Sequence, residues 1–263
     1  MRHAGQLTKY MMPTALALVA AVLALTGYAI LHGDGDGDGS TPDAGRAGAS
    51  AAASASPSAR YAPPADWTEP ARWAALPRGA RTDERDMEVG FPHTTLGAVA
   101  MMAASNSTSL QGAYDNQQAQ LKIFDSYLIA ADQSDQNREV VELAGIDADK
   151  QVRRTLGLPA GSDLPPGAYV RTRVVGFKII RESVDEVGVW LLSRVTMKAS
   201  ETQKEIGSYM RSVVAAQWAD DDWKTSLAAY SRAVAASEPR PEIAAPGDPA
   251  FNSAAWSAIR EAS

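Results

Sequence analysis

The amino-acid sequence predicts an α+β domain carried behind a single membrane-spanning helix. Three observations lead there: an uncharged apolar run from Met11 to Leu31, helical apolar spacing concentrated in the stretch before Gly161, and three long β-branched and aromatic runs after Gly167. Helices followed by consecutive long strands describe packed α and β layers and not an alternating α/β sheet.

The chain begins with a short segment, 1–10, holding Arg2 and Lys9, and the apolar run occupies 11–31. About 20 residues at 1.5 Å rise cover a hydrocarbon core of roughly 30 Å, so this length fits one spanning helix. The basic flank places the N-terminus in the cytoplasm and the remainder outside the cell membrane. A cleaved secretory signal has an apolar region of only about 7–15 residues, and Gly27-Tyr28-Ala29 followed by Ile30-Leu31 is a poor cleavage site.

Residues 32–65 are mostly Gly, Asp, Ser, Ala and Pro, with no large apolar side chain from Ala49 to Ser58. Such a segment cannot bury enough surface to offset its ordering entropy and is expected to be a disordered linker. As a coil it would span roughly 30 Å, and near 110 Å if pulled straight. Asp34, Asp36, Asp38 and Gly39 imitate the start of a calcium loop, but the required Glu is replaced by Gly45.

An arm, 66–92, follows, with Trp67 and Trp73 flanking Pro70 and then Leu76-Pro77. The domain proper is expected over 93–232. Leu96, Val99, Ala100 and Ala103 are spaced for a first helix capped by Thr94 or Thr95. Leu121, Phe124, Leu128 and Ala131 mark a second, and Arg138 to Ala144 and Ala148 to Leu156 read as two shorter ones.

Beyond the turn containing Pro165-Pro166, strands are expected over Ala168 to Glu182, Val187 to Ala199 and Ile206 to Ala219, then a short one at Trp223. Runs this much longer than the usual 5–6 residues imply a curved antiparallel sheet. In the first strand Val175, Phe177 and Ile179 share a face, yet Arg171 and Arg173 have the same parity. The extension 233–263 is Pro-rich over Glu238 to Asp248 and ends in an expected helix, Phe251 to Glu261, carrying Trp256 and Ile259.

Composition narrows the function. Arg2 and Lys9 precede the apolar run while all 31 acidic residues follow it, so the exported part is more acidic than the whole chain's −6, which argues against nucleic acid as a direct partner. With no cysteine there is no disulfide framework, thiolate metal site or lipidated cysteine. His93 is the one histidine of the exported domain and sits just before a helix start, where an imidazole fixes the entering chain. No Gly-x-Ser-x-Gly elbow or phosphate loop is present, and neither a metal nor any cofactor is expected.

The order of helices and long strands resembles the NTF2-like cone. Trp73, Leu76-Pro77, Gly90-Phe91-Pro92-His93-Thr94 and Gly97-Ala98 resemble membrane-anchored proteins of actinobacterial integrative and conjugative elements, whose exported domains are similar to the VirB8 and TcpC components of type IV secretion. Trp218 to Trp223 resembles the Trp-x-Asp-Gly-Asp-Trp close of that sheet, with Asp221 in place of the turn glycine, which puts the turn type in question. The resemblance implies a non-enzymatic part of a DNA-transfer apparatus, contacting the bilayer through its N-terminal helix, other transfer proteins through its domain, and other copies of itself.

The family-motif residues Trp73, Pro77, Gly90, Phe91, His93, Thr94, Gly97, Trp218 and Trp223 are accordingly expected to be structural. Arg171, Arg173, Arg181 and Arg194 could stripe the outer sheet face, either solvated or facing an acidic neighbour. Two alternatives stay open: a lipid- or small-molecule-binding accessory of the Mce-associated type, and a ketosteroid-isomerase-like enzyme. The nearest acid and donor for the latter, Asp125 and Tyr127, are two apart on a helix and so about 200° around it.

Overall fold

The computed structural model describes residues 66–260. The expected spanning helix, 11–31, and the linker, 32–65, lie outside these residues, and no helix among the described residues is long and apolar enough to cross a membrane. The fold is α+β, with helices on both faces of one large sheet.

After the arm's strands β1 (Trp73–Ala75), β2 (Arg81–Thr82) and β3 (Glu88–Val89), helix α1 spans Thr95–Ser105. Thr94 is its N-cap, with its side chain accepting from the Gly97 N–H at 3.0 Å. The helix is apolar nearly all round, and Ala98, Val99, Met101 and Met102 are completely buried. A short β4 (Thr108–Leu110) leads to α2 (Asn116–Tyr127).

The two short helices expected next are one helix, α3 (Asp135–Thr155), 21 residues long. Gly145, which lies between the two expected helices, is where α3 crosses α2: a Cβ there would lie 2.7 Å from Gln117 Cα. Close packing outweighs the helix propensity that glycine lacks. Four positions on, the Asp149 carboxylate accepts from the backbone N–H groups of Asn116 (2.9 Å) and Gln117 (3.2 Å), so α3 caps the start of α2.

The long strands are β5 (Tyr169–Glu182), β6 (Glu186–Lys198) and β7 (Ile206–Ala219), closed by β8 (Asp222–Thr225). They pair as consecutive antiparallel hairpins in the order β5-β6-β7-β8. Register shifts at Val174/Gly176 and Ile179/Arg181 resolve the parity conflict in β5. Val170, Thr172 and Val174 face inward with Arg171 and Arg173 outward; the bulge at Val175 then turns Phe177 and Ile179 to the inner face and Val175 to the outer one. The expected grouping of Val175 with Phe177 is corrected accordingly.

The inner face packs on α1, α2 and α3 through Val187, Val189 and Leu191, and further along through Val195 and Met197. The outer face carries Trp190, Leu192, Val213 and Ala215 beneath α4 (Leu227–Ala235), a helix whose spacing was not recognised in sequence. It begins at Ser226, which accepts from the Ala229 N–H, and runs through the expected junction at 232/233.

The C-terminal extension is part of the fold. In place of the expected helix from Phe251 to Glu261 there are a five-residue helix α5 (Pro249–Ser253) and a strand β9 (Ser257–Arg260). Phe251 and Trp256 are buried against the outer face, and the Trp256 indole donates to the Glu242 carbonyl at 2.7 Å. β9 lies between β5 and β1, antiparallel to the first and parallel to the second, with Trp73 opposite Ala258. Tertiary burial of Trp256 overrides the weak helical spacing around it.

Candidate functional site

Most of the motif residues converge on one end of the sheet. Gly90, at φ +76°, turns the chain out of β3 so that consecutive N–H groups face β8. Asp222, only 2% exposed, accepts from Gly90 N–H at 2.9 Å, from Phe91 N–H at 3.0 Å and from its own Trp223 N–H at 2.9 Å, with Lys224 Nζ at 3.6 Å. Asp220 and Asp221 are exposed turn residues, whereas Asp222 is buried and ties the arm to the sheet.

Next along the chain, the Pro92 carbonyl accepts from the Trp223 indole at 2.9 Å and lies where a Cβ on Gly97 would fall, 1.9 Å away. Only glycine allows α1 to start against that carbonyl. His93 then stacks on Trp218, with ring centroids 3.9 Å apart and planes 10° apart. Trp223 meets His93 and Trp218 edge-on at 5.6 and 5.4 Å. His93 Nε2 is 2.9 Å from both the Val184 carbonyl and an Asp185 carboxylate oxygen, so one ring nitrogen anchors the β5–β6 turn. That the ring nitrogen carries the proton follows from its two acceptors.

Gly90, Phe91, His93, Thr94, Gly97, Trp218 and Trp223 therefore form one cross-brace of arm, α1 and three strand ends. Trp73 and Pro77 lie apart from it. Hydrogen bonds from the Trp67 indole and then from the Trp73 indole, the latter at 2.7 Å, hold the Glu69 carboxyl below its ordinary value, and Arg260 sits 5.5 Å over the Trp73 ring. Pro77 lines a surface groove.

Asp220 and Asp221 occupy the two central positions of the β7–β8 hairpin with φ of +53° and +57°. That pair of positive values is the signature of a type I′ turn, so the turn type survives loss of the glycine at the cost of two strained residues.

Asp125 and Tyr127 point apart. Asp125 pairs with Arg138 and, at 3.3 Å, with Arg85. Tyr127 is 1% exposed, donates to the Glu88 carbonyl at 2.8 Å, and has its ionisation pushed up strongly by burial. No three His, Asp or Glu side chains among the described residues gather as a metal site.

The four arginines share the outer sheet face. Arg181 pairs with Glu186 at 3.0 Å beside α4. At the other end Arg171 covers the Tyr169 ring at 4.1 Å, and Arg173 lies directly opposite Arg194, which approaches Glu205 at 3.6 Å. Sequence alternation located these side chains but missed the groove beside them, because the groove depends on β9. It measures 270 Å³ and lies where α1, the arm, β5 and β9 meet, lined by Leu76, Pro77, Ala104 and Ile259 with Arg78, Arg173 and Arg260 around it. No family model, curated protein or solved structure matches this chain.

Proposed function

We propose that the chain is a non-enzymatic, membrane-anchored assembly component of a conjugative, type IV secretion-like DNA-transfer apparatus, its exported domain an NTF2-like, VirB8/TcpC-like unit acting through protein contacts. The observation that carries this reading is the cross-brace. Seven of the nine residues on which the family resemblance rests meet one another through backbone bonds and ring stacking, as expected of a structural brace. The helices lie against a long antiparallel meander in the order that the resemblance implies.

The accessory reading needs room between helices and sheet. That space is filled by Val99, Met102, Tyr127, Leu191 and Trp223, none more than 1% exposed, which favours the assembly role. The isomerase reading needs Asp125 and Tyr127 in one pocket, and their partners hold them apart.

The test combines topology with transfer. Protease added to intact cells should remove the exported domain, crosslinking in membranes should trap the protein with itself or with transfer proteins, and deletion should lower conjugation frequency. Normal conjugation after clean deletion would sink the reading.

A further inference from the structure

Among the described residues the most exposed large apolar side chain is Val184, at 77%, which projects from the β5–β6 turn between two carboxylates, Glu182 and Asp185. Those carboxylates also touch the cross-brace: Glu182 accepts from the Thr95 hydroxyl at 3.1 Å, and Asp185 from His93 at 2.9 Å. Each keeps a second oxygen with free acceptor capacity. Val184 belongs to none of the buried apolar clusters, so its side chain is available to fill a hollow on another molecule.

The groove beside β9 is that hollow. Its floor is apolar, from Leu76, Pro77, Ala104 and Ile259, and three arginines, Arg78, Arg173 and Arg260, surround it. The one carboxylate in its lining, Glu88, accepts from the Gly79 N–H at 3.0 Å. In a chain of net charge −6, this clustering of arginines around an apolar floor is local and opposite in sign to the turn.

Both features lie on the same strand. Residue 174 borders the groove and Glu182 ends β5, eight residues on and up to about 26 Å away at 3.3 Å per residue, so a rigid domain cannot place its own turn in its own groove. We infer that the β5–β6 turn of one copy docks into the β9 groove of a second copy, Val184 on the apolar floor and Glu182 and Asp185 against Arg78, Arg173 and Arg260. A contact between different surfaces on identical chains is head-to-tail, and it propagates into a ring or a filament. The inference rests on the reading of the domain as an assembly component and names the partner of that surface.

The absence of cysteine makes the test direct. Full-length chains carrying Val184→Cys and Ser107→Cys, the latter exposed in the groove lining, are co-expressed in membranes and oxidised. A disulfide-linked dimer is expected from this pair, and none from Val184→Cys with Leu143→Cys on the exposed side of α3. Adding Arg78→Glu and Arg173→Glu should lower the dimer yield about tenfold, the scale of one lost anchoring contact. Combining them with Glu182→Arg on the partner chain should recover most of the yield. Equal linking to Leu143→Cys, indifference to charge reversal, or linking of Ser107→Cys solely to a different protein would each overturn the inference. Failure here with conjugation still dependent on the protein would leave the assembly reading standing; loss of that dependence would remove both.

Discussion

The Asp222 carboxylate accepts the backbone N–H of Phe91 at 3.0 Å across 131 residues of chain, and the same carboxylate holds Gly90. Buried acceptors of this kind are costly to lose, because the donors stay behind without partners. Asp222→Ala is expected to destabilise the domain by about 3 kcal/mol, and Asp222→Asn by less, since one acceptor oxygen remains. Denaturant midpoints followed by tryptophan fluorescence check this; a change within experimental error would refute the bracing role.

The β7–β8 turn should improve on mutation. Asp221→Gly removes one residue held at φ +57° and is expected to stabilise the fold by about 1 kcal/mol. Asp220→Asn together with it produces the preferred Asn-Gly pair. The same unfolding assay reads the gain, and a loss would mean that Asp221 contributes a contact outweighing its strain.

Two glycines should respond in a fixed order. Gly97→Ala sets a Cβ 1.9 Å from the Pro92 carbonyl oxygen and must shift backbone, whereas Gly145→Ala meets Gln117 Cα at 2.7 Å. Alanine's helix preference returns about 1 kcal/mol at each site, less than the overpacking cost of about 1–3 kcal/mol. Both substitutions should destabilise, Gly97→Ala more; the reverse order would contradict the packing at Pro92.

Acid should loosen the end of the sheet near α4. Arg232, through a hydrogen-bonded ion pair and then its charge, and Arg181 hold the Glu186 carboxyl below its ordinary 4.5. A carboxyl whose folded-state value is depressed contributes stability that is complete above its unfolded value and lost as pH falls through the folded one. Stability should therefore be flat near neutrality in this respect and fall below about pH 4.5. Glu186→Gln should be less stable than the native chain at pH 7 and lose less between pH 6 and pH 3. Parallel pH curves would exclude Glu186 as a contributor.

Much of the architecture was legible in the sequence. A cap at Thr94 or Thr95, of which Thr94 is the one used, and a third strand over Ile206 to Ala219 follow from local spacing and capping chemistry, which act within a few residues. What escaped depends on distant partners. The continuity of α3 through Gly145 depends on Gln117 packed against it, and the role of Asp222 on the arm that reaches it. The conflicting parity of Arg173 and Val175 was itself the trace of a bulge, since strict alternation cannot put both on the observed faces. The helix expected near Trp256 failed because burying one large indole fixes the backbone more strongly than a short stretch of spacing. At the candidate site the residues were recognisable individually, while their meeting was not: His93 and Trp218 belong to elements whose registry only the assembled sheet defines.

Strand β9 gives the domain a particular order of assembly. Trp73 leaves the ribosome early but pairs with Ala258, and the same late segment supplies a neighbour to Gly176 and Phe177 in the middle of the chain. Until Ser257–Arg260 has been made, β1 has no ladder to join and a stretch of β5 keeps an open margin. The nascent polypeptide must hold β1 idle until β9 has been made, so a chain stopped before Ser257 should leave Trp73–Ala75 without a partner strand while Gly90 and Phe91 stay tied to Asp222.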